Sequence, residues 1–288
     1  MGKSYLDNLV GVFGHPVAEN PAVVMIEAAF HAAGMENWRY LTIEIPPEHL
    51  AEAMKAVTAL NMKGINLTIP HKVEVIRYLD EISEAAEKIG AVNTVVNRSG
   101  KLFGENTDGK GFLESLRKDG GIDPKNKRAV VLGAGGAGRA ICIELALAGC
   151  RHITVVNRSA NRGEELARRI EGKTSARADF VALTPGFAVP ENTDIFVQAT
   201  SIGLYPHTGA KPDIEYDSIL PSMTVCDVIP NPPHTEFLTE AEKRGAPTLD
   251  GLGMLVYQGT IGFRLWTGKE ASVDAMKSAL QREFGVAD

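Results

Sequence analysis

The stretch AVVLGAGGAGRAICIELALAG (129–149) constrains this chain more than any other. An apolar strand runs into Gly133, Gly135 and Gly138, spaced G-x-G-x-x-G, and an apolar helical pattern follows. The first glycine permits a tight turn, the second lets backbone approach a pyrophosphate, and the third lets the helix pack on the strand. The helix start adds free N–H groups and the positive end of its dipole. Ala134, Gly136 and Ala137 complete the loop and join the candidate cofactor contacts. In a chain with 29 glycines the spacing alone says little, and the strand–loop–helix frame is what identifies a dinucleotide site.

The second strand of such a unit ends near the adenosine ribose, about 20 residues beyond the glycines. Here HITVV ends at Asn157, followed by Arg158, Ser159 and, further on, Arg162. An NAD site places Asp or Glu at this point to bind the ribose 2′-hydroxyl, and none is present. Arg158 can offer its planar fork to a 2′-phosphate or stack on the adenine face, and Ser159 adds a hydroxyl. Cations at a helix start are disfavoured unless an anion sits there. The expected cofactor is therefore NADP, bound through Asn157, Arg158, Ser159 and Arg162 as well as the glycine loop.

Strand and helix patterns alternate along the rest of the chain, which implies parallel sheets with helical crossovers. The pattern gives strands at 9–14, 39–45 and 63–70, helices at 21–34, 47–61, 81–90 and 108–120, and a hairpin turning at Ser99-Gly100. At 288 residues two domains are expected, with a boundary near 105–127. The net charge of −6 argues against non-specific binding to nucleic acid or an anionic membrane. No apolar run approaches the roughly 20 residues of a spanning helix. The N-terminus is too weakly apolar for a secretory signal, and Leu6 stands where a myristoylation motif needs Ser or Thr. Cys142, Cys150 and Cys226 lack metal-ligand spacing and fit idle thiols in a reducing cytoplasm; no metal site is expected.

Two other stretches concentrate polar residues after apolar strands: GINLTIPHK (64–72), and AVNTVV with GENTDGKGF (91–112). Asn66, Thr68, Lys72, Asn93, Thr107 and Asp108 could surround a small polyhydroxylated ligand. Oxidising a carbinol requires removal of its hydroxyl proton, which the Lys72 amine could take, with Asp108 as its partner. Taken singly, each residue has a plainer reading. Lys72 can be a solvated lysine at a helix start, Asp108 an N-cap, and Asn66 and Asn93 donors to loop backbone.

Together these stretches resemble the shikimate/quinate dehydrogenase family over nearly the whole chain. The matching segments are GINLTIPHK, GAVNTVV, GENTDGKGF, VLGAGGAGRA, VVNRSANR, QATSIGL and DGLGMLVYQG, in the family's order. The resemblance implies an α/β fold: an N-terminal α/β substrate domain over 1–107, a Rossmann NADP domain over 108–250, and C-terminal helices (251–288) packing back on the first. It implies NADP-dependent oxidation at the C3 carbinol of a cyclic hydroxy acid, shikimate against 3-dehydroshikimate being the main case. Quinate or another cyclitol acid, and a non-catalytic NADP sensor, stay open as alternatives. By resemblance Lys72 and Asp108 are the catalytic pair, and Asn66, Thr68, Asn93 and Gln258 contact substrate. Arg158, Ser159 and Arg162 match the NADP-selective signature, and Thr200 and Gly251 fall among the cofactor contacts. The oligomeric state stays open between monomer and homodimer.

The chain departs from the family pattern at two places. The family's first loop usually carries two serines, one residue apart, that hold the substrate carboxylate. Here the loop reads GHPVAENP (14–21) and has neither, leaving Asn20 and His15 as donors and Glu19 beside them. In DVIPNPPHTEFL (227–238), Pro230 stands where the family commonly has a tyrosine.

Overall fold

The computed structural model describes residues 5–286, so the terminal Met-Gly lies outside the described part. The chain forms two compact units, one running to Thr107 and resuming at Gln258, the other spanning Asp108–Tyr257.

The first unit begins with β1 (Asn8–Gly14), α1 (Ala22–Ala32), β2 (Trp38–Glu44), α2 (Leu50–Ala59), β3 (Gly64–Leu67) and α3 (His71–Glu74). It continues through β4 (Glu81–Ile82), α4 (Glu84–Ile89), β5 (Thr94–Arg98) and β6 (Lys101–Glu105). These strands form a mixed sheet in the order β2-β1-β3-β5-β6-β4. β1 pairs in parallel with β2 and β3, while β5 runs antiparallel to β3 and β6 as the Ser99-Gly100 hairpin requires.

Two expected elements differ. The helix expected over 81–90 starts only at Glu84, because Glu81 and Ile82 pair with Phe103 and Gly104 of β6. Ser83 then caps the helix by accepting from the Ala86 N–H at 3.1 Å. The strand expected over 63–70 ends at Leu67, and the chain turns at once into α3, which carries Lys72.

One sheet face packs against α2 around Leu50, Met54, Val57, Ile65 and Val95. Elsewhere in this unit Phe30 of α1 stacks on Phe263, with ring centroids 5.3 Å apart. Trp266 donates its indole N–H to the Val95 carbonyl at 3.0 Å, and Gly64 is required there because a Cβ would collide with that indole. Burying these rings drives the last part of the chain onto the first sheet.

The second unit begins with α5 (Asp108–Lys118), β7 (Arg128–Leu132), α6 (Gly136–Leu147), β8 (His152–Asn157), α7 (Ala160–Lys173) and β9 (Arg177–Ala182). There follow β10 (Phe187–Ala188), β11 (Ile195–Gln198), β12 (Ile214–Glu215), β13 (Thr224–Asp227), α8 (Glu236–Lys243) and β14 (Thr248–Leu249). Its main sheet is wholly parallel, in the order β14-β13-β11-β7-β8-β9. Numbered within the unit that is the 3-2-1-4-5-6 order of a Rossmann sheet. The inner strands β7, β8, β11 and β13 are largely apolar and buried, as strands covered on both faces demand, while the edge strand β9 is mostly exposed. The helix α9 (Gly251–Thr267) contains the division between units, which falls later than the boundary at 251 expected from sequence; α10 (Val273–Glu283) closes the chain. Among the described residues no helix is long and apolar enough to cross a membrane.

Candidate active site

In the first unit a polar network forms at the ends of β3 and β5, with Thr107 at its centre. The Thr107 N–H donates to Asn93 Oδ1 at 2.7 Å, and Asn93 Nδ2 donates to Thr107 Oγ1 at 3.0 Å. Thr107 Oγ1 also lies 3.4 Å from Gln258 Oε1 and 3.1 Å from the Thr94 hydroxyl. Asn66 joins from β3, donating to the Asn93 carbonyl at 3.1 Å and to Thr94 Oγ1 at 2.9 Å. Its own Oδ1 accepts from the Tyr40 hydroxyl at 2.8 Å. Burial pushes the Tyr40 phenol far up, so it remains a donor at any working pH. Asn66 is therefore largely engaged within the protein, both its amide N–H groups and its Oδ1 taking part in these bonds.

Thr68 sits just beyond β3, its N–H donating to the Phe13 carbonyl at 2.9 Å. Its methyl occupies the space a side chain on Gly14 would need, so the first loop closes directly on it. Lys72 lies in α3, partly buried, and its carbonyl accepts from the Val92 N–H at 2.7 Å. Asp108 is the first helical residue of α5, partly buried, where a carboxylate is favoured by the helix dipole. The sequence counts Thr107 among the residues that could surround a polyhydroxylated ligand; Thr94, within AVNTVV, and Tyr40, in an alternating strand, carry no sequence signal for a place in this network.

The first loop offers few donors. Asn20 spends its side-chain oxygen on the Ala22 N–H at 3.0 Å, which starts α1. His15 pairs through Nδ1 with Glu44 Oε1 at 2.9 Å, and Glu19 is exposed. A histidine already on a carboxylate has one ring nitrogen left to give.

In the second unit the glycine loop has the geometry its spacing implies. Gly133 has φ 114°, open only to glycine without strain, and a Cβ there would stand 2.7 Å from the Ala199 carbonyl oxygen. A Cβ on Gly138 would collide with the Gly133 carbonyl. Gly135 and Gly136 instead face open space at the start of α6, the cradle a pyrophosphate needs. The Ala134 N–H donates to Asn157 Oδ1 at 3.2 Å, and Asn157 Nδ2 donates to the Ser159 carbonyl at 3.0 Å. Asn157 thus braces the glycine loop against the turn that carries Arg158. Arg158, Ser159 and Arg162 are exposed, and the first turn of α7 holds no acidic residue. Thr200 follows β11, its N–H donating to Gln198 Oε1 at 2.5 Å. Gly251 opens α9, where any Cβ would strike the Ile229 carbonyl. Among the described residues no three His, Cys, Asp or Glu side chains cluster as a metal site would require.

Residues 12–95 match the shikimate dehydrogenase substrate binding domain, 116–205 match shikimate/quinate 5-dehydrogenase, and 251–281 match the shikimate 5′-dehydrogenase C-terminal domain. A shikimate dehydrogenase (NADP(+)) of Desulforamulus reducens is 42% identical over 275 residues, covering 95% of this chain and 94% of that one. The ligand-free 5-ketofructose reductase of Gluconobacter sp. strain CHM43 superimposes with a TM-score of 0.93 at 48% identity, covering 98% of this chain and 100% of that one. A shikimate dehydrogenase in complex with NADP+ superimposes with a TM-score of 0.89 at 38% identity, covering 96% of each chain.

Proposed function

Because the chain belongs to the shikimate/quinate dehydrogenase family, we propose that it is an NADP-dependent oxidoreductase interconverting shikimate, or a close cyclic hydroxy acid, with its 3-dehydro ketone. The observation that carries this reading is the Asn93–Thr107–Gln258 network in the unit that holds Lys72. It is a set of neutral donors and acceptors suited to ring hydroxyls. The Lys72 amine takes the carbinol proton during oxidation and returns it during reduction, and Asp108 orients it. Thr68 and Asn66 complete the substrate contacts, with Asn20 at the first loop. Gly135 and Gly136 admit the pyrophosphate, Arg158, Ser159 and Arg162 receive the 2′-phosphate, and Thr200 and Gly251 flank the cofactor. NADP, when bound, supplies the two-electron acceptor. We assign the enzyme to the cytoplasm, where its three buried, free thiols stay reduced. The test is NADPH absorbance with NADP and a panel of cyclic hydroxy acids. NADPH binding with no turnover of any polyhydroxy substrate would make the protein a sensor instead.

Arg158→Ala should weaken NADP binding roughly tenfold to a hundredfold, the loss of a charge-assisted contact worth about 1.5–3 kcal/mol. Binding of NAD should change much less. Equal losses for both cofactors, measured by calorimetry, would show that Arg158 stacks on adenine and does not select phosphate.

A second reading concerns the substrate alone, and the first loop favours it. The loop has neither serine hydroxyl: with His15 on Glu44 and the Asn20 oxygen on the Ala22 N–H, its side-chain donors for a carboxylate come down to the Asn20 amide N–H groups and one His15 ring nitrogen. A neutral polyhydroxy ketone, such as the 5-ketofructose that names the Gluconobacter reductase, asks for no such donors.

A further inference from the structure

Three polar side chains of the second unit lie in its interior, at the carboxyl ends of β11 and β13. Gln198, Asp227 and Thr235 are 0%, 1% and 1% exposed. Gln198 and Asp227 are register partners on adjacent strands, and Gln198 Nε2 lies 3.4 Å from Asp227 Oδ1. Asp227 accepts from the Ile229 N–H at 3.0 Å through Oδ1 and from the Thr235 hydroxyl at 2.8 Å through Oδ2. Thr235 Oγ1 accepts in turn from the Leu238 N–H at 3.3 Å and caps α8. On its other side Gln198 donates to the Ile202 carbonyl at 3.0 Å and accepts from the Thr200 N–H. The triad therefore fastens two segments, 199–204 after β11 and 228–235 after β13. The Tyr205 N–H donates to the Asn231 carbonyl at 3.1 Å and ties the two segments to each other.

Both segments abut the cofactor positions. The Ala199 carbonyl fills the space beside Gly133, and the Ile229 carbonyl fills the space beside Gly251. In a sheet of this order a ligand lies outside the carboxyl ends of the strands. Interior apolar residues of similar volume would hold a sheet together at least as well, because burying polar groups carries a desolvation cost. We propose that Gln198, Asp227 and Thr235 are positioning residues for the cofactor: together they fix the backbone of 199–204 and 228–235 in the conformation that receives its nicotinamide half. The proposal rests on the NADP reading above.

Burial raises the Asp227 carboxyl from 3.8 to about 6, against the lowering effect of its hydrogen bonds to Ile229, Thr235, Val228 and Gln198. The folded protein therefore holds this proton more tightly than the unfolded chain, and stability falls as pH rises from about 4 to about 6. An ionised Asp227 is retained at a cost to stability, as expected where function and stability pull apart. Burial pushes the Cys226 thiol and the Tyr216 phenol up, so both remain neutral, and Arg244 and Lys211 hold Glu240 low and ionised. His234, next to Thr235, points to the surface, where it pairs with Glu242.

The test measures NADPH affinity by its fluorescence, together with the Tm of the cofactor-free protein, for the wild type, Asp227→Asn, Thr235→Val and Thr235→Ser. Asp227→Asn and Thr235→Val should each weaken NADPH binding roughly tenfold, and Thr235→Ser, which keeps the hydroxyl, should stay within about twofold. The Tm of Asp227→Asn at pH 8 should not fall. Should a variant fail to fold, NADH affinity of the wild type against pH decides, since NADH lacks the 2′-phosphate that titrates near 6. It should weaken as pH drops through about 6. Wild-type protein that binds no NADPH overturns the cofactor reading itself. Wild-type binding with Asp227→Asn within twofold of it, or affinity lost only in step with Tm and not restored in Thr235→Ser, or a flat NADH profile, overturns the triad's role alone.

Discussion

Lys72→Ala should lower kcat by roughly 10²- to 10⁴-fold while leaving KM for the ring substrate within a few-fold. Oxidation of a carbinol cannot finish while the proton stays on oxygen, and reduction of the ketone cannot finish until oxygen receives one. Lys72 is the one cation in the GINLTIPHK stretch placed on a short helix directly after β3, with Thr68 before it at the same sheet end. The lysine lies partly buried, so its loss removes a positioned group and little packing. Lys72→Met retains the length of the side chain and separates the two effects. If both variants keep kcat within a few-fold of the wild type, the proton goes elsewhere and Lys72 is a solvated helix-start lysine. On the proposed acid–base pairing, Asp108→Asn should behave like a weaker Lys72→Ala, removing one charge of the pair and leaving the amine.

How legible the site was depended on how local its physics is. The glycine loop could be read outright, since a positive φ at Gly133 and a close approach at Gly138 are demands of a single turn. The expectation for Arg158 rests on a similarly local rule, that the second strand of this fold ends near the ribose, and the structure leaves Arg158 exposed just after that strand. Asn157 was assigned to the cofactor, and its side chain is spent bracing the Ala134 N–H. No sequence rule distinguishes an amide that touches ribose from one that holds the loop beside it. The Thr107 network was harder still. It joins positions 93, 107 and 258, and the last arrives only because Phe263 and Trp266 bury themselves against α1 and the first sheet. Without the family likeness Gln258 reads as one polar residue on a packed helix. The strand Glu81–Ile82 was missed for the same reason: its helical composition yields to the open edge of β6. Gln198, Asp227 and Thr235 lie in the stretches QATSIGL and DVIPNPPHTEFL, yet their joint role has no sign in sequence, since strand-end polar residues are common and their convergence is tertiary.

If the first loop sets specificity, as the second reading has it, a neutral polyhydroxy ketone should exceed 3-dehydroshikimate in kcat/KM by roughly a hundredfold or more in a substrate panel read at saturating NADPH. A carboxylate taken from water without donors costs several kcal/mol, and each charged hydrogen bond that is missing forfeits about 1.5–3 kcal/mol. Two missing donors therefore correspond to roughly 10²- to 10⁴-fold. In the loop 14–21 the side-chain donors left to offset that loss are the Asn20 amide and one ring nitrogen of His15. Asn20 has its oxygen on the Ala22 N–H and only its amide N–H groups to offer. The His15 ring lies 2.9 Å from Glu44, so one of its nitrogens is already committed, and Glu19 adds a carboxylate within the loop. On that reading a neutral ketone would meet no such deficit, and its hydroxyls would have the neutral donors and acceptors of the Asn93–Thr107–Gln258 network. Glu19→Ser, which removes a negative charge and adds a hydroxyl, should narrow the gap by raising turnover of the acid without improving that of the neutral ketone. Methyl esters of the ring acids should likewise outperform the free acids. If free shikimate proves the best substrate with a micromolar KM, and Asn20→Ala leaves it unchanged, the carboxylate is held by groups outside this loop, and the missing serines do not set the specificity.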